Sequence, residues 1–271
     1  MRLLLVVCLF IPNFLFGQIG GFNINPHAMG MGNTTILEND PWSTFTNPAG
    51  ISGIQALTLS TAYHQTPVEG IKNVGVATVL PVENGTTALS ISRVGDDLLS
   101  LSTIGFNYAS HFGLAKLGAR IKYAQYVAES TGTKGTFQLD LGGMARLSRS
   151  FVVGAYILNV NQTRLNEFED ERAPTILSAG FSYQASKEFT INGEVEKDIA
   201  FPAITKVGIA YQPFEKFVFR AGFHINPRNS FFGLGFKRKR LAIDYALQHN
   251  PVLGISHQTG LIYSIPQKRS E

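Results

Sequence analysis

The chain has 271 residues and a formal net charge of +4, and only 15 % of its residues are charged, against about 25 % in an ordinary soluble domain. This charge is too small for a nucleic-acid-binding protein, because the sequence has no dense basic stripe beyond the four residues Lys237–Arg240. Its one cysteine, Cys8, lies in a predicted signal peptide, which excludes a disulfide scaffold, a thiolate metal site and a cysteine enzyme.

Residues 1–17 have the composition of a secretory signal peptide. An early Arg2 precedes a long apolar core, and the small Gly17 stands at the expected cleavage point, so the mature chain is predicted to begin near Gln18. No later stretch offers the roughly 18 uninterrupted apolar residues that a membrane helix needs. A secreted chain of this kind can therefore enter a membrane only with β-strands.

Residues 18–52 are predicted to form a non-repetitive plug ahead of the strands. The stretch from His27 to Ser52 has no strand alternation, and the glycines of Met29-Gly30-Met31-Gly32 permit backbone angles that other residues avoid. The run Asn47-Pro48-Ala49-Gly50 combines the residue types of a turn. The residues singled out here as a structural or gating motif are Met29, Gly30, Met31, Gly32, Asp40, Trp42, Asn47, Pro48, Ala49 and Gly50.

Hydrophobicity from residue 53 to residue 265 follows a period of two, which predicts β-strands. In Phe217–Ile225 one face is aromatic and aliphatic, and the other carries Arg220 and His224. The fourteen predicted segments are 55–64, 71–81, 86–93, 99–110, 114–127, 135–146, 151–160, 174–185, 188–197, 202–212, 216–225, 230–237, 240–248 and 254–265. Tight connections alternate with longer ones, as between the periplasmic and external sides of an outer-membrane barrel.

These observations predict an all-β fold, a transmembrane antiparallel β-barrel of about 14 strands over residues 53–265. The hatch segment 18–52 is expected in its lumen, with residues 266–271 as a tail. The expected location is the outer membrane of a Gram-negative bacterium, with outer-membrane lipid as a partner. A soluble periplasmic β-sandwich also alternates, and a detergent requirement for solubility would exclude it.

Eight charged residues fall on the face predicted to line the lumen: Arg120, Lys122, Asp140, Glu194, Glu196, Lys206, Arg220 and Asp244. Charges in a lumen either select permeants or pair with one another, because an unpaired buried charge is costly. Both signs occur in similar numbers, so we favour pairing and expect no strong ion selectivity.

Two interpretations of the hatch residues stay open. The Asn47–Gly50 turn either contacts a ligand or fixes the entry of the plug into the first strand, and we favour the structural role. Trp42 and Phe45, with Met29 and Met31, either line an apolar pocket or anchor the plug against the wall. Anchoring is the favoured interpretation.

No enzyme motif, cofactor or metal site is predicted. Ser256 and His257 are adjacent in a predicted strand and point to opposite faces, so they cannot form a nucleophile–base pair. The acidic run Glu167–Glu171 lacks the spacing of a calcium loop, and a solvated external loop is the favoured interpretation over a divalent-cation site.

The run Ala28–Asn33, with Asp40 and the turn Asn47–Gly50, resembles the start of the PorV/PorQ family of outer-membrane barrels. That family belongs to the wider FadL-like group. The resemblance implies about fourteen strands, an N-terminal hatch and a role either with type IX protein secretion or in passing hydrophobic compounds.

The sequence therefore predicts a non-enzymatic barrel that serves type IX secretion as an accessory, with the translocon or secreted cargo as partner. The alternative is a FadL-like channel for hydrophobic small molecules, with the hatch as its gate.

Overall fold

The computed structural model describes residues 24–36, 39–129, 132–165 and 172–265, which form a closed antiparallel barrel. In chain order, strands β1 to β14 are Leu57–Gln65, Lys72–Val82, Gly85–Gly95, Leu99–Phe112, Ala115–Ala128, Gly132–Arg146, Phe151–Leu158, Ile176–Gln184, Phe189–Asp198, Ile204–Phe214, Phe217–His224, Asn229–Arg238, Leu241–Asn250 and Gly254–Ile265. Each strand pairs with its neighbour along the chain, and β1 pairs with β14 to close the barrel. The predicted all-β, fourteen-strand transmembrane barrel is confirmed, and every predicted segment overlaps one strand.

The strands alternate between an apolar outer face and a small or polar inner face. In β3, Leu89 and Ile91 expose 58 % and 60 % of their surface, whereas Ala88 and Ser90, which alternate with them, are buried. Lipid is the environment that such an apolar outer face needs in a membrane barrel, and the inner residues surround the lumen.

The connections between strands are on average longer at one end of the barrel than at the other. The connections at one end are short: 83–84, 113–114, 147–150, 185–188, 215–216 and 239–240. Those at the other end reach their greatest length at 159–175, between β7 and β8. Short turns mark the periplasmic end and longer loops the external end of outer-membrane barrels, so β1 begins at the periplasmic end.

Three short helices precede β1, and the same residue pattern starts each of them. They are helix α1, Pro26–Gly30, and the 3₁₀ helices Pro41–Phe45 and Pro48–Gly53. An Asn or Asp stands just before each proline, and its side chain accepts a hydrogen bond from a backbone N–H of the first turn. Proline fits the first helical position because it lacks a backbone N–H, so Asn/Asp-Pro is a strong helix start.

Several predicted features lie outside the described residues: the signal peptide 1–17, hatch residues 18–23, the acidic run Glu167–Glu171 and the tail 266–271. Among the residues that are described, no helix is long and apolar enough to cross a membrane.

Candidate functional site

Residues 24–36 and 39–56, called the N-terminal segment below, lie in the barrel lumen against glycines of its inner wall. Seven lumen-facing glycines on seven strands contact this segment: Gly75, Gly118, Gly142, Gly208, Gly222, Gly233 and Gly260. A Cβ atom added to Gly233 would lie 2.7 Å from the Cα atom of Gly30. The wall has room for the segment only because these positions carry no side chain.

The Met29–Gly32 motif supplies the matching surface on the segment. Gly30 approaches the wall at Gly233, while Gly32 has a φ of +68°, a left-handed conformation that glycine adopts without strain. Met29 is 2 % exposed and packs with Phe231 and Ala246 on the wall. Met31 is also buried.

Trp42 is fully buried in a different hydrophobic cluster from Met29. It packs with Ile24, Ala62 and Val94, and Phe45 lies at the edge of this cluster. Met29 belongs to a different cluster on β12 and β13. The structure therefore does not bring Trp42, Phe45 and the two methionines together around one apolar pocket.

Asp40 and Asn47 hold the bends of the N-terminal segment. The Asp40 side chain accepts a hydrogen bond from the Trp42 backbone N–H at 3.0 Å, and its other oxygen lies 2.9 Å from Nδ1 of His27. Asn47 accepts from the Ala49 N–H at 3.1 Å and donates from Nδ2 to the Ile36 carbonyl at 2.7 Å.

The rest of the Asn47–Gly50 motif packs in the lumen. Pro48 and Ala49 contact the wall at Gly118, and the Gly50 N–H donates to the Asn47 carbonyl at 3.0 Å.

The first group of lumen charges joins β5 to β6. Arg120 Nε lies 2.5 Å, and Lys122 Nζ 3.3 Å, from the Asp140 carboxylate, which is fully buried. Asp140 also accepts a hydrogen bond from the backbone N–H of Asn159 at 2.7 Å. Arg120 donates in addition to the backbone carbonyl of Thr44, so this group also contacts the N-terminal segment.

The second group, on β9 and β10, holds the segment directly. Lys206 Nζ lies 3.3 Å from Glu194 and 2.7 Å from Glu196, and it donates to the Asn33 carbonyl at 3.1 Å. Glu194 accepts hydrogen bonds from the backbone N–H groups of Thr35 at 2.6 Å and Ile36 at 3.2 Å. Glu196 binds Lys206 without touching the segment in any contact described.

The third group is the pair Arg220 and Asp244, 2.6 Å apart on β11 and β13, beside Gly30 and Gly233. All eight predicted residues face the lumen. The four positive and four negative formal charges sum to zero, and each side chain contacts one of opposite sign.

Several contacts of lumen residues with the N-terminal segment were not predicted from the sequence. Thr35 contacts the hydroxyl of Tyr156 at 3.0 Å, His224 lies 2.7 Å from the Gly32 carbonyl, and Asn107 donates to Thr44 at 3.2 Å. The seven wall glycines could have been identified from the sequence, because each occupies an inward-facing position of an alternating strand. The polar contacts depend on how the segment folds back, which alternation does not reveal.

No group of three His, Cys, Asp or Glu side chains in the described part of the chain is placed to hold a metal ion. Ser256 faces the lumen, while His257 faces outward and lies 2.6 Å from the Tyr245 hydroxyl.

Several solved structures share this architecture. The Ralstonia pickettii toluene transporter TbuX matches with a TM-score of 0.68 at 13 % identity, over 89 % of this chain and 98 % of that one. The CymD monoaromatic hydrocarbon channel matches with a TM-score of 0.67 at 14 % identity, over 90 % and 98 %. A Pseudomonas aeruginosa FadL homologue matches with a TM-score of 0.53 at 12 % identity, over 89 % of this chain and 96 % of that one.

The chain has the fold of FadL-like outer-membrane channels. Identities this low show the fold alone. No family model and no curated protein matches the sequence. The PorV/PorQ resemblance is therefore not shown, and the solved structures support the barrel fold of the FadL-like group.

Proposed function

We propose that the chain is an outer-membrane channel for small, uncharged, hydrophobic molecules and that its N-terminal segment is the hatch of that channel. The observation that carries the proposal is the fit of the segment into the lumen, against seven wall glycines. A channel of this design passes a molecule only when the segment moves.

The charge balance of the lumen supports an uncharged permeant. Each carboxylate of the three groups has a cationic partner within 3.3 Å, so these eight residues together carry no net formal charge. The solved structures with this fold include transporters and channels whose names specify toluene and monoaromatic hydrocarbons. A neutral aromatic is therefore the first permeant to test.

The way the segment is held supports its role as a gate. Its attachments to the wall are hydrogen bonds, ion contacts and packing, all of which can break and reform. The barrel hydrogen-bond ladder closes through β1 and β14 and includes no residue of the segment. The segment can therefore shift while the barrel stays closed.

Uptake by intact Gram-negative cells that lack such a channel tests this proposal. Cells expressing the full chain should take up a radiolabelled apolar aromatic faster than cells without it, while uptake of a neutral sugar stays unchanged. A variant lacking Gly21–Asn47 should admit both solutes, because the segment no longer fills the lumen. Equal aromatic uptake with and without the full chain would contradict the channel function.

A role in type IX secretion remains the second candidate, favoured by the Ala28–Asn33 and Asn47–Gly50 motifs. A pull-down from detergent-solubilised membranes, with a tag in the 161–173 connection, tests it. Co-purification with a secretion translocon would support this candidate, and recovery of the chain alone would argue against it.

A further inference from the structure

The membrane-facing wall carries an apolar groove that the proposed channel does not use. Its volume is about 600 Å³, within the range of about 300–1,000 Å³ typical of ligand pockets. It lies over β5 to β9, on the side of the barrel wall that faces lipid.

Strand register explains the groove. Five outward-facing residues form one row of cross-strand partners over β5 to β9: Leu117, Gly143, Ala155, Ala179 and Val195. The three middle residues are small, whereas Leu117 and Val195 at the two ends are 52 % and 48 % exposed. Because these three neighbouring positions carry no large side chain, a depression crosses β6, β7 and β8 on the outer face.

Larger residues bound this depression in the adjacent rows. On the external side, Leu141, Ile157 and Leu177 are cross-strand partners, and Lys197 ends the same row. On the periplasmic side, Val153 is the partner of Phe181. The outward-facing residues of the lining are therefore apolar except at Lys197, and the inward-facing Tyr156 and Ser178 also border the groove.

Lys197 marks the end of the groove that lies at the external interface of the membrane. It is the penultimate residue of β9, beside the external connection 199–203, and its amino group donates to the Phe201 carbonyl. An outward-facing lysine is costly at the middle of a bilayer and tolerated at its interface. The row of small residues lies about 7 Å further along the strand into the membrane, at about 3.3 Å per residue.

We infer that this groove binds a phosphate-bearing acyl lipid of the external leaflet. An acyl chain fills the depression over Gly143, Ala155 and Ala179, and the phosphate lies near Lys197. Two features select this occupant: acyl chains surround this face of the barrel, and the cation stands at the end of the groove that meets the headgroups.

Native mass spectrometry of the full chain in mild detergent tests the site. The probes are dioleoylphosphatidylglycerol and dioleoylglycerol, which share their acyl chains and differ in the phosphate. We expect one phosphatidylglycerol per chain, bound about fivefold more tightly than dioleoylglycerol, since one lysine near an anionic headgroup contributes about that factor.

Two variants separate the acyl and phosphate contacts. The double change Ala155→Leu and Ala179→Leu fills the groove and should abolish tight binding of both probes. Lys197→Gln should bind the two probes equally. The control is Ala221→Leu, which adds one leucine side chain to the outer face of β11, away from the groove, and should bind as the unaltered chain does.

Equal lipid binding by the filled-groove variant and the control would overturn the inference. A dimer that the unaltered chain forms and the filled-groove variant does not form would also overturn the inference, because a second copy of the chain would then occupy the groove. A Lys197→Gln variant that keeps the preference for phosphatidylglycerol would overturn the phosphate contact.

Discussion

At the scale of single residues, glycine decides how closely the N-terminal segment approaches the wall. Gly260 shows this most directly, because a Cβ atom there would lie 2.8 Å from Cζ2 of Trp42 and would also meet the ring of Pro26. Both neighbours are rigid rings, so neither yields by rotating a flexible end. The sequence contains one tryptophan, and Trp42 therefore reports on the segment by its fluorescence.

The substitution Gly260→Val should displace Trp42 from its buried position. We expect acrylamide to quench its emission more strongly and the chain to lose about 1–3 kcal/mol of stability, as overpacked interiors do. The matched control is Thr259→Val, which faces outward on the same strand and should leave quenching unchanged. Equal quenching in the two variants would show that the segment does not press on Gly260.

At the scale of elements, the position of the N-terminal segment depends on contacts between short irregular stretches and strands far away in sequence. Thr35 and Ile36 reach Glu194 on β9, and Asn33 reaches Lys206 on β10. These are charge-assisted hydrogen bonds, which are the stronger ones in proteins. They make β9 and β10 the part of the wall that holds the segment in place.

The substitution Glu194→Ala should loosen the hatch while the barrel stays folded. It leaves two buried backbone N–H groups without their acceptor, at about 1–3 kcal/mol for each unsatisfied group. We expect larger and more frequent conductance steps in planar bilayers. The control is Glu196→Ala, which also removes a carboxylate from Lys206 but touches no residue of the segment. Similar conductance in both variants would contradict the assignment of Glu194 as the holding residue.

At the scale of the whole molecule, the barrel was predictable and the fit of the plug was not. Period-two alternation located each strand because a lipid-facing wall demands an apolar outer face at every second residue. The same alternation assigned Arg120, Glu194 and Asp244 to the lumen, where the structure places them beside partners of opposite charge.

The N-terminal segment has no repeat from which its path can be derived. Its Asn/Asp-Pro helix starts are visible in the sequence, but the pairing of Gly32 with Gly222 or of Thr35 with Glu194 joins residues more than 150 positions apart. Such contacts form only in the closed barrel, so they cannot be derived from local patterns in the sequence.

The central claim is that the N-terminal segment must move for a molecule to pass, and a disulfide tests it most directly. An ideal Cβ atom on Gly75 lies 2.7 Å from Cγ2 of Ile24, so cysteines at these two positions are placed to bond. The bond would tie the start of the segment to β2, while its other end already continues into β1.

Aromatic uptake by intact cells is the measurement, with the double variant Ile24→Cys and Gly75→Cys compared before and after a reductant. The single-cysteine variants serve as controls, and neither oxidation nor the reductant should change their aromatic uptake. The account predicts that uptake is lost in the oxidised double variant and restored on reduction. Equal uptake in a fully oxidised and a fully reduced double variant would contradict it.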